Sequence, residues 1–205
     1  MPSKILAQVD ERDLYRPPRD PVLVEVPPFD FIMVDGMGDP STSAAFEAAV
    51  GALYAFSYPV VIPLKRSGRA ELKVAPLEGL WWADDLGAFD PARQDRGAWR
   101  WTLMIRQPVD IPADVLANAF AKMTKKVGAD LASRMRFERF DEGRCAQLMH
   151  HGPYAEEGPN IVRLHEFIAA QGSTLRGHHH EIYLSDPRRS APEKMRTILR
   201  QPVKG

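Results

Sequence analysis

The stretch HHHEIYLSDPRRSAPEKMRTILRQPV, residues 178–203, predicts two strands separated by a turn. Residues 180–185 form the first strand and residues 197–199 lie in the second. Because side chains alternate between the two faces of a strand, Glu181 and Tyr183 share one face and the residues next to them share the other. The face with Glu181 is either exposed to solvent or part of a ligand cleft. Alternation alone favours solvent, since carboxylates are mostly exposed.

The rest of the second half predicts a helix and a hairpin before these strands. Residues 155–171 have apolar side chains at helical spacing. Residues 137–140 and 144–150 predict a hairpin over an Asp-Glu-Gly turn. A further helix over residues 111–128 begins with proline and ends with glycine, and it joins the two halves.

The first half repeats the order strand, helix, strand, strand. A buried strand is predicted over residues 29–36, followed by a helix that opens at residue 39 and ends near residue 57, before Pro59. Three further strand-like segments follow, at residues 69–76, 80–82 and 99–107. Between the last two of these lies a long polar loop over residues 83–98.

This order of elements predicts an α+β fold. Two pseudo-symmetric strand-helix-strand-strand modules, over about residues 21–110 and 111–205, would place antiparallel sheets around a central ligand cleft. Residues 1–20 are proline-rich at their end and predict an N-terminal arm, too short for a helix-turn-helix domain.

The bulk composition limits the function classes. Of the 205 residues, 27 are basic and 27 acidic, without a basic block, which argues against nucleic-acid binding. The single Cys145 excludes an internal disulfide, and neither a metal-site spacing nor a cofactor motif is present, so we expect no metal and no cofactor. No apolar run of membrane-spanning length is expected. A cytoplasmic monomer or homodimer with a small-molecule ligand is predicted.

The four tryptophans all lie between positions 81 and 101. Trp99 and Trp101 project to the same face of their strand by the period-two rule. Large aromatic residues dominate protein cores, so core packing explains the clustering as well as a ligand cage does. A cage for a flat or cationic ligand would need an anion nearby, and Glu181 is the candidate.

Other candidate residues have both a structural and a functional explanation. Tyr154 follows a His-His-Gly-Pro turn, so it either packs in a capping turn or leans over the cleft from the start of a helix. A carboxylate among aromatic rings could serve as a general base or as the counter-charge of a cation. The histidines at 178–180 have no partner residues at metal-site spacing, which favours surface or core roles.

Several motifs together resemble the GyrI-like small-molecule-binding proteins, particularly their free-standing branch, which includes cyclopropanoid cyclopropyl hydrolases. The resemblance covers about residues 20–203. Its most specific part is EIYLSDPRR (181–189) with the following PEKMRTILR (192–200). The less specific parts are MHHGPY (149–154), EGLWW (78–82) and WRWTLMIRQP (99–108).

The resemblance implies a site as well as a fold. The family has two modules related by a pseudo-two-fold axis, and in multidrug-sensing transcription activators a glutamate in its cavity meets cationic aromatic ligands. Glu181 falls at that glutamate by motif. The resemblance also implies that Glu181 and Tyr154 are catalytic residues in the hydrolytic branch of the family. The implied ligand-binding residues are Trp82, Trp99, Trp101 and Tyr183, with Trp81 as the alternative to Trp82.

Three functions remain open at this point. The first is hydrolysis of cyclopropane-bearing DNA-alkylating compounds by a water that Glu181 activates inside an aromatic cage. The second is non-catalytic binding of hydrophobic, flat or cationic xenobiotics, as a sensor or scavenger. The third is interaction with a partner protein such as a topoisomerase, with the cleft incidental.

Overall fold

The computed structural model describes residues 11–85 and 96–205, so the middle of the predicted 83–98 loop lies outside the described residues. Short 3₁₀ turns lie at Arg96–Ala98, Tyr154–Glu156 and Pro192–Lys194. The helices are α1 Glu11–Leu14, α2 Ala44–Arg66, α3 Ala113–Val127, α4 Ala129–Ala132 and α5 Gly158–Ala170. The strands are β1 Val22–Val26, β2 Phe29–Met37, β3 Leu77–Trp82, β4 Arg100–Arg106, β5 Arg136–Phe140, β6 Gly143–His151, β7 Thr174–Leu175, β8 His179–Tyr183 and β9 Arg196–Lys204.

The chain divides into two compact units that are not consecutive in sequence. The central unit is Phe29–Phe140, and the terminal unit combines the residues up to Pro28 with Asp141–Gly205. The N-terminal strand joins the C-terminal part because β1 pairs antiparallel with β6, with Val22 opposite Gln147. The modules expected from the sequence, over about residues 21–110 and 111–205, are consecutive instead. The border of the central unit lies beyond residue 110, at Phe140, because α3 packs against α2 within this unit.

The central unit has an antiparallel sheet in the order β3, β4, β2, β5. Its first four elements, β2, α2, β3 and β4, follow the predicted order of strand, helix, strand, strand. The predicted strand over residues 69–76 is wrong, because this segment forms a turn and an extended connection and β3 begins only at Leu77. The α+β class with antiparallel sheets is confirmed.

Helix α2 is longer than the sequence predicts. It begins after Ser43, whose hydroxyl accepts a hydrogen bond from the Phe46 amide, and continues through Pro59 and Pro63 to Arg66. Each proline removes one backbone donor, which normally ends a helix. Burial of apolar side chains beyond Pro59, among them Val60 and Leu64, offsets that loss.

The same helix corrects the expectation about membrane-spanning length. Over an 18-residue window α2 has a hydropathy of 1.5, so by length and composition it could cross a membrane. The expectation was wrong because the alanines and glycine of α2 interrupt its run of large apolar residues. They leave the helix long and apolar, since it has few charged residues. Within the central unit α2 packs against β2, β4 and α3, which is typical of a core helix.

The terminal unit has an antiparallel sheet in the order β1, β6, β9, β8, with the short β7 also paired to β9. Its elements β6, α5, β8 and β9 repeat the predicted order of strand, helix, strand, strand. The predicted hairpin over residues 137–150 is wrong, because β5 pairs with β2 whereas β6 pairs with β1 and β9.

Helix α5 covers one face of the terminal sheet. Leu164 and Ile168 on the helix pack against strand residues that are almost fully buried, which fixes this face as an apolar layer. The strand residues in this layer are Ala146, Leu148, Leu199 and Val203.

The opposite face of the terminal sheet holds a buried ionic network. Glu142 accepts hydrogen bonds from His180 at 2.8 Å and from Arg200 at 3.0 Å. Arg200 also donates to Gln147 and to the backbone carbonyl of Leu14. Burial opposes ionisation of Glu142, but the charges of His180 and Arg200 outweigh it and lower its pKa to about 2. We call these four side chains (Glu142, Gln147, His180 and Arg200) the Glu142 network.

The N-terminal segment is held against this face by its backbone. Gln147 donates to the Asp13 carbonyl, and the Met149 amide donates to the Pro18 carbonyl. Residues 13–18 of the predicted arm are therefore part of the terminal unit.

We predict that Glu142→Gln lowers the free energy of unfolding by about 3–5 kcal/mol, since it leaves the buried Arg200 guanidinium without its counter-charge. The stabilisation that wild-type Glu142 supplies is present above the ordinary carboxyl pKa and is lost as the pH falls toward about 2. Denaturant unfolding across this pH range measures both effects. The exposed Glu166→Gln is the matched control, and equal stability of the two variants would contradict the prediction.

Candidate functional site

Glu181 lies on the face of the terminal sheet that α5 covers. In the β8–β9 register it stands directly opposite Leu199, which belongs to the apolar layer under α5. Its side chain is only 15% exposed. The choice between solvent and interior that the sequence left open is therefore decided in favour of a largely buried position.

Two tyrosines accompany Glu181. The Tyr183 hydroxyl donates a 2.9 Å hydrogen bond to Oε2 of Glu181. The ring of Tyr154 meets the ring of Tyr183 edge to face, with centroids 5.4 Å apart. Tyr154 arrives there because it begins the 3₁₀ turn that precedes α5. Burial, and then the charges of Glu157 and Glu181, raise the pKa of Tyr154 to about 12, so its phenol stays protonated.

A second carboxyl group, Glu157, lies beside this pair. It occupies the N-cap position of α5 but makes no capping hydrogen bond, and its residue is only 4% exposed. Burial and the charge of Glu181 raise its pKa to about 9. Thr197 opposes the rise weakly, since the Thr197 hydroxyl makes no hydrogen bond of good geometry.

Several buried polar atoms around these carboxyls have no hydrogen-bond partner among the described residues. They are Oε1 of Glu157, Oγ1 of Thr197, both ring nitrogens of His179 and Nε2 of His165. His179 Nε2 lies 3.6 Å from Oε1 of Glu181, too far for a hydrogen bond. Unsatisfied buried polar groups are uncommon, and a group of them indicates bound water or a ligand. We call the set Tyr154, Glu157, His165, His179, Glu181, Tyr183 and Thr197 the polar cluster.

The three consecutive histidines have separate roles. His178 is exposed, His179 belongs to the polar cluster, and His180 belongs to the Glu142 network on the opposite face. Within residues 11–85 and 96–205, no group of three His, Cys, Asp or Glu side chains is arranged to hold a metal ion.

Sequence reasoning missed Glu157 for a physical reason. An acidic residue at the start of a helix is expected on the surface, where it interacts favourably with the helix dipole. Its spacing of three from Tyr154 was the available signal, because one 3₁₀ turn brings residues i and i+3 to the same side. Thr197 could have been found only from the strand register, which sets it opposite Tyr183.

The tryptophans form a cluster within the central unit. Phe46 on α2 stacks on Trp81 and meets Trp101 edge to face, and Trp99 meets Trp81 edge to face. The Arg96 guanidinium lies 5.4 Å from the centroid of the Trp99 ring, within cation–π distance. We call Phe46, Trp81, Trp99 and Trp101 the tryptophan cluster.

Trp82 is not part of this cluster. It packs on the other face of the central sheet, against Phe31, Met33, Leu80 and Met104. Of the two adjacent tryptophans it is therefore Trp81 that joins Trp99 and Trp101. In the part of the chain that the structure describes, the buried Trp101 indole nitrogen has no hydrogen-bond partner.

The structure thus groups some of the predicted site residues and separates others. Glu181, Tyr183 and Tyr154 are together in the terminal unit, and Trp99 and Trp101 are together in the central unit. That the tryptophans line one cavity with Glu181 stays a prediction.

With this geometry in view, comparison with known proteins identifies the family. The GyrI-like small molecule binding domain matches residues 19–204. The chain belongs to the GyrI-like small-molecule-binding family. No match is found among functionally curated proteins.

Solved structures agree with this assignment. An uncharacterized conserved protein from Listeria innocua is 42% identical, with a TM-score of 0.83, and the match covers 95% of this chain and 97% of that one. A hydrolase from the same organism is 40% identical, with a TM-score of 0.79 and coverages of 95% and 96%. The C-terminal domain of EcmrR shares the fold alone, at 11% identity and a TM-score of 0.53, with coverages of 90% and 97%.

The tryptophan cluster leaves no room for a side chain at Gly36. A Cβ atom at Gly36 would lie 2.0 Å from the Trp101 ring, and Trp101 is buried on all sides. We predict that Gly36→Ala lowers the free energy of unfolding by about 1–3 kcal/mol through overpacking. Gly51→Ala is the matched control, since its Cβ meets nothing within 4 Å and helix propensity should raise stability by about 1 kcal/mol. Thermal unfolding of both variants measures the difference, and equal effects would contradict the prediction.

Proposed function

We propose that the polar cluster is the ligand site of this domain and that it binds flat, aromatic cations, with Glu181 as the counter-charge. The observation that carries the proposal is a largely buried carboxylate among tyrosine rings and unsatisfied polar atoms. Membership of a small-molecule-binding family supports it.

The carboxylate of Glu181 is suited to bind a cation. Tyr183 holds Oε2 by a hydrogen bond, which fixes the orientation of the carboxylate before a ligand arrives. Oε1 makes only the longer 3.6 Å approach to His179. A charge that is largely removed from water interacts more strongly with a cation than an exposed charge does.

The tyrosine rings offer the aromatic part of the site. Tyr154 is 38% exposed although its ring contacts Tyr183, so one side of the pair remains accessible. An aromatic face stabilises a cation that lies against it. The aromatic cage with Trp99 and Trp101 that the resemblance to the family implies stays a prediction.

We predict that Glu181→Gln weakens binding of ethidium, a permanent flat cation, by about tenfold or more, because the counter-charge is lost. Binding of N-methylacridone, a flat neutral ketone of similar size, should change by less than about twofold. Fluorescence titration with both dyes measures the two affinities.

The control for this experiment is Glu166→Gln, which removes an exposed carboxylate from α5 and should affect neither dye. Equal losses for the cation and the neutral dye in Glu181→Gln, or no loss for either, would rule out Glu181 as a counter-charge.

A second candidate function is hydrolysis. Two Listeria innocua structures that are 39% and 40% identical over 95% of this chain are named hydrolases. We propose that Glu181 takes a proton from a water molecule whose oxygen bonds to a carbon of a strained cyclopropane ring. The ring carbon–carbon bond breaks, and its electron pair moves through the conjugated system to a carbonyl oxygen, which becomes a phenolate. The protonated Tyr154 hydroxyl donates a hydrogen bond to that oxygen.

We predict that a cyclopropane-bearing DNA-alkylating compound gains the mass of one water molecule when it is incubated with the protein. Glu181→Gln should slow this conversion by about 100-fold or more, the usual contribution of a general base. Mass spectrometry of the compound measures the product. Recovery of the compound unchanged in complex with wild-type protein would leave binding as the function and exclude hydrolysis.

A further inference from the structure

Glu157 is the most deeply buried carboxyl group of the polar cluster. It is 4% exposed, and no side chain or backbone group of residues 11–85 and 96–205 forms a hydrogen bond with its Oε1 atom. The buried Thr197 hydroxyl lies next to it and interacts with the carboxyl, but within the described part of the chain it makes no hydrogen bond of good geometry. A residue needed only for stability would be expected to satisfy its polar atoms within the protein.

We propose that Glu157 is a second functional group of the ligand site, a neutral carboxylic acid that donates a hydrogen bond to an acceptor on the ligand. The site would then select molecules that combine one positive charge, held by Glu181, with one hydrogen-bond acceptor such as a carbonyl oxygen. This assignment rests on the proposed function of the polar cluster.

The groups that face Glu157 favour its neutral form. Glu181 approaches from β8 and adds a like charge, and Thr197 on β9 offers only a weak interaction. Tyr154, from the turn before α5, is a neutral phenol. None of these groups supplies a positive charge that would stabilise an ionised Glu157.

On β6, His150 stands opposite Thr197 in the register, and its ring is already engaged. Arg163 donates to Oδ1 of Asn160, so the amide nitrogen of Asn160 faces Nδ1 of His150 at 2.8 Å. The other ring nitrogen lies 3.3 Å from the Pro153 carbonyl oxygen. Both ring nitrogens of His150 are therefore occupied by these two contacts.

A neutral Glu157 has two opposite consequences for binding. A protonated carboxyl carries one O–H donor, which an acceptor on the ligand can use. When the proton leaves, that donor is lost and the site gains a second negative charge. Affinity for a cation should therefore rise with pH, whereas affinity for a neutral acceptor should fall over the same range.

The experiment measures ethidium and N-methylacridone binding from about pH 7 to about pH 10, a range in which neither dye changes its charge. For wild-type protein we expect ethidium affinity to rise by about tenfold or more and N-methylacridone affinity to fall by a similar factor. For Glu157→Gln we expect both affinities to be independent of pH, because the amide keeps a donor and cannot ionise. Glu166→Gln should behave as wild type.

The stability of the variant provides an independent readout. Because the pKa of Glu157 is raised in the folded protein, the stability it contributes is complete below the ordinary carboxyl pKa of 4.5 and is lost as the pH rises through about 9. Glu157→Gln should therefore be as stable as wild type in acid and more stable at alkaline pH. This result would also show that the variant folds.

The outcomes separate this inference from the proposed function. If Glu181→Gln leaves ethidium binding unchanged, the proposed function fails whatever the pH dependence. If Glu181→Gln weakens ethidium binding but the opposed pH slopes are absent from wild type, or persist in Glu157→Gln, only the role of Glu157 is overturned.

Discussion

The register of β8 against β9 determines the chemistry of both faces of the terminal sheet. With Glu181 opposite Leu199, the side chains of Glu181 and Tyr183 lie on the same sheet face as the apolar layer under α5, and His180 takes the opposite face. A slip of one residue would exchange the two sets, because the side-chain period of a strand is two. His180 would then lose Glu142, and Glu181 and Tyr183 would move together away from Tyr154.

Two buried glutamates of this sheet show how neighbours decide the state of one chemical group. Glu142 and Glu157 are almost equally buried, and burial alone raises the pKa of both. Arg200 and His180 reverse that effect at Glu142, whereas Glu181 adds to it at Glu157. Glu142 forms hydrogen bonds with His180 and Arg200 and stabilises the fold. Glu157 keeps an oxygen that, in the role we propose for it, is available to a ligand.

The sequence predicted what depends on local pattern. Alternation put Glu181 and Tyr183 on one face, and the two runs of strand, helix, strand, strand were recovered because their apolar periods are regular. The errors arose where tertiary contacts override local rules: α2 continues through Pro59 because Val60 and Leu64 are buried, and β6 pairs with β1 instead of β5. Glu157 and Thr197 were missed because they meet only after α5 packs on the sheet.

Arg200 and Gln147 reach outside the region that matches the family. Their hydrogen-bond acceptors include the carbonyls of Leu14 and Asp13, whereas the family match begins at residue 19. The homologous region and the folding unit therefore have different borders. A version of this domain cut at the homology border would leave two buried side-chain donors without their backbone acceptors, so it would be less stable than the longer chain.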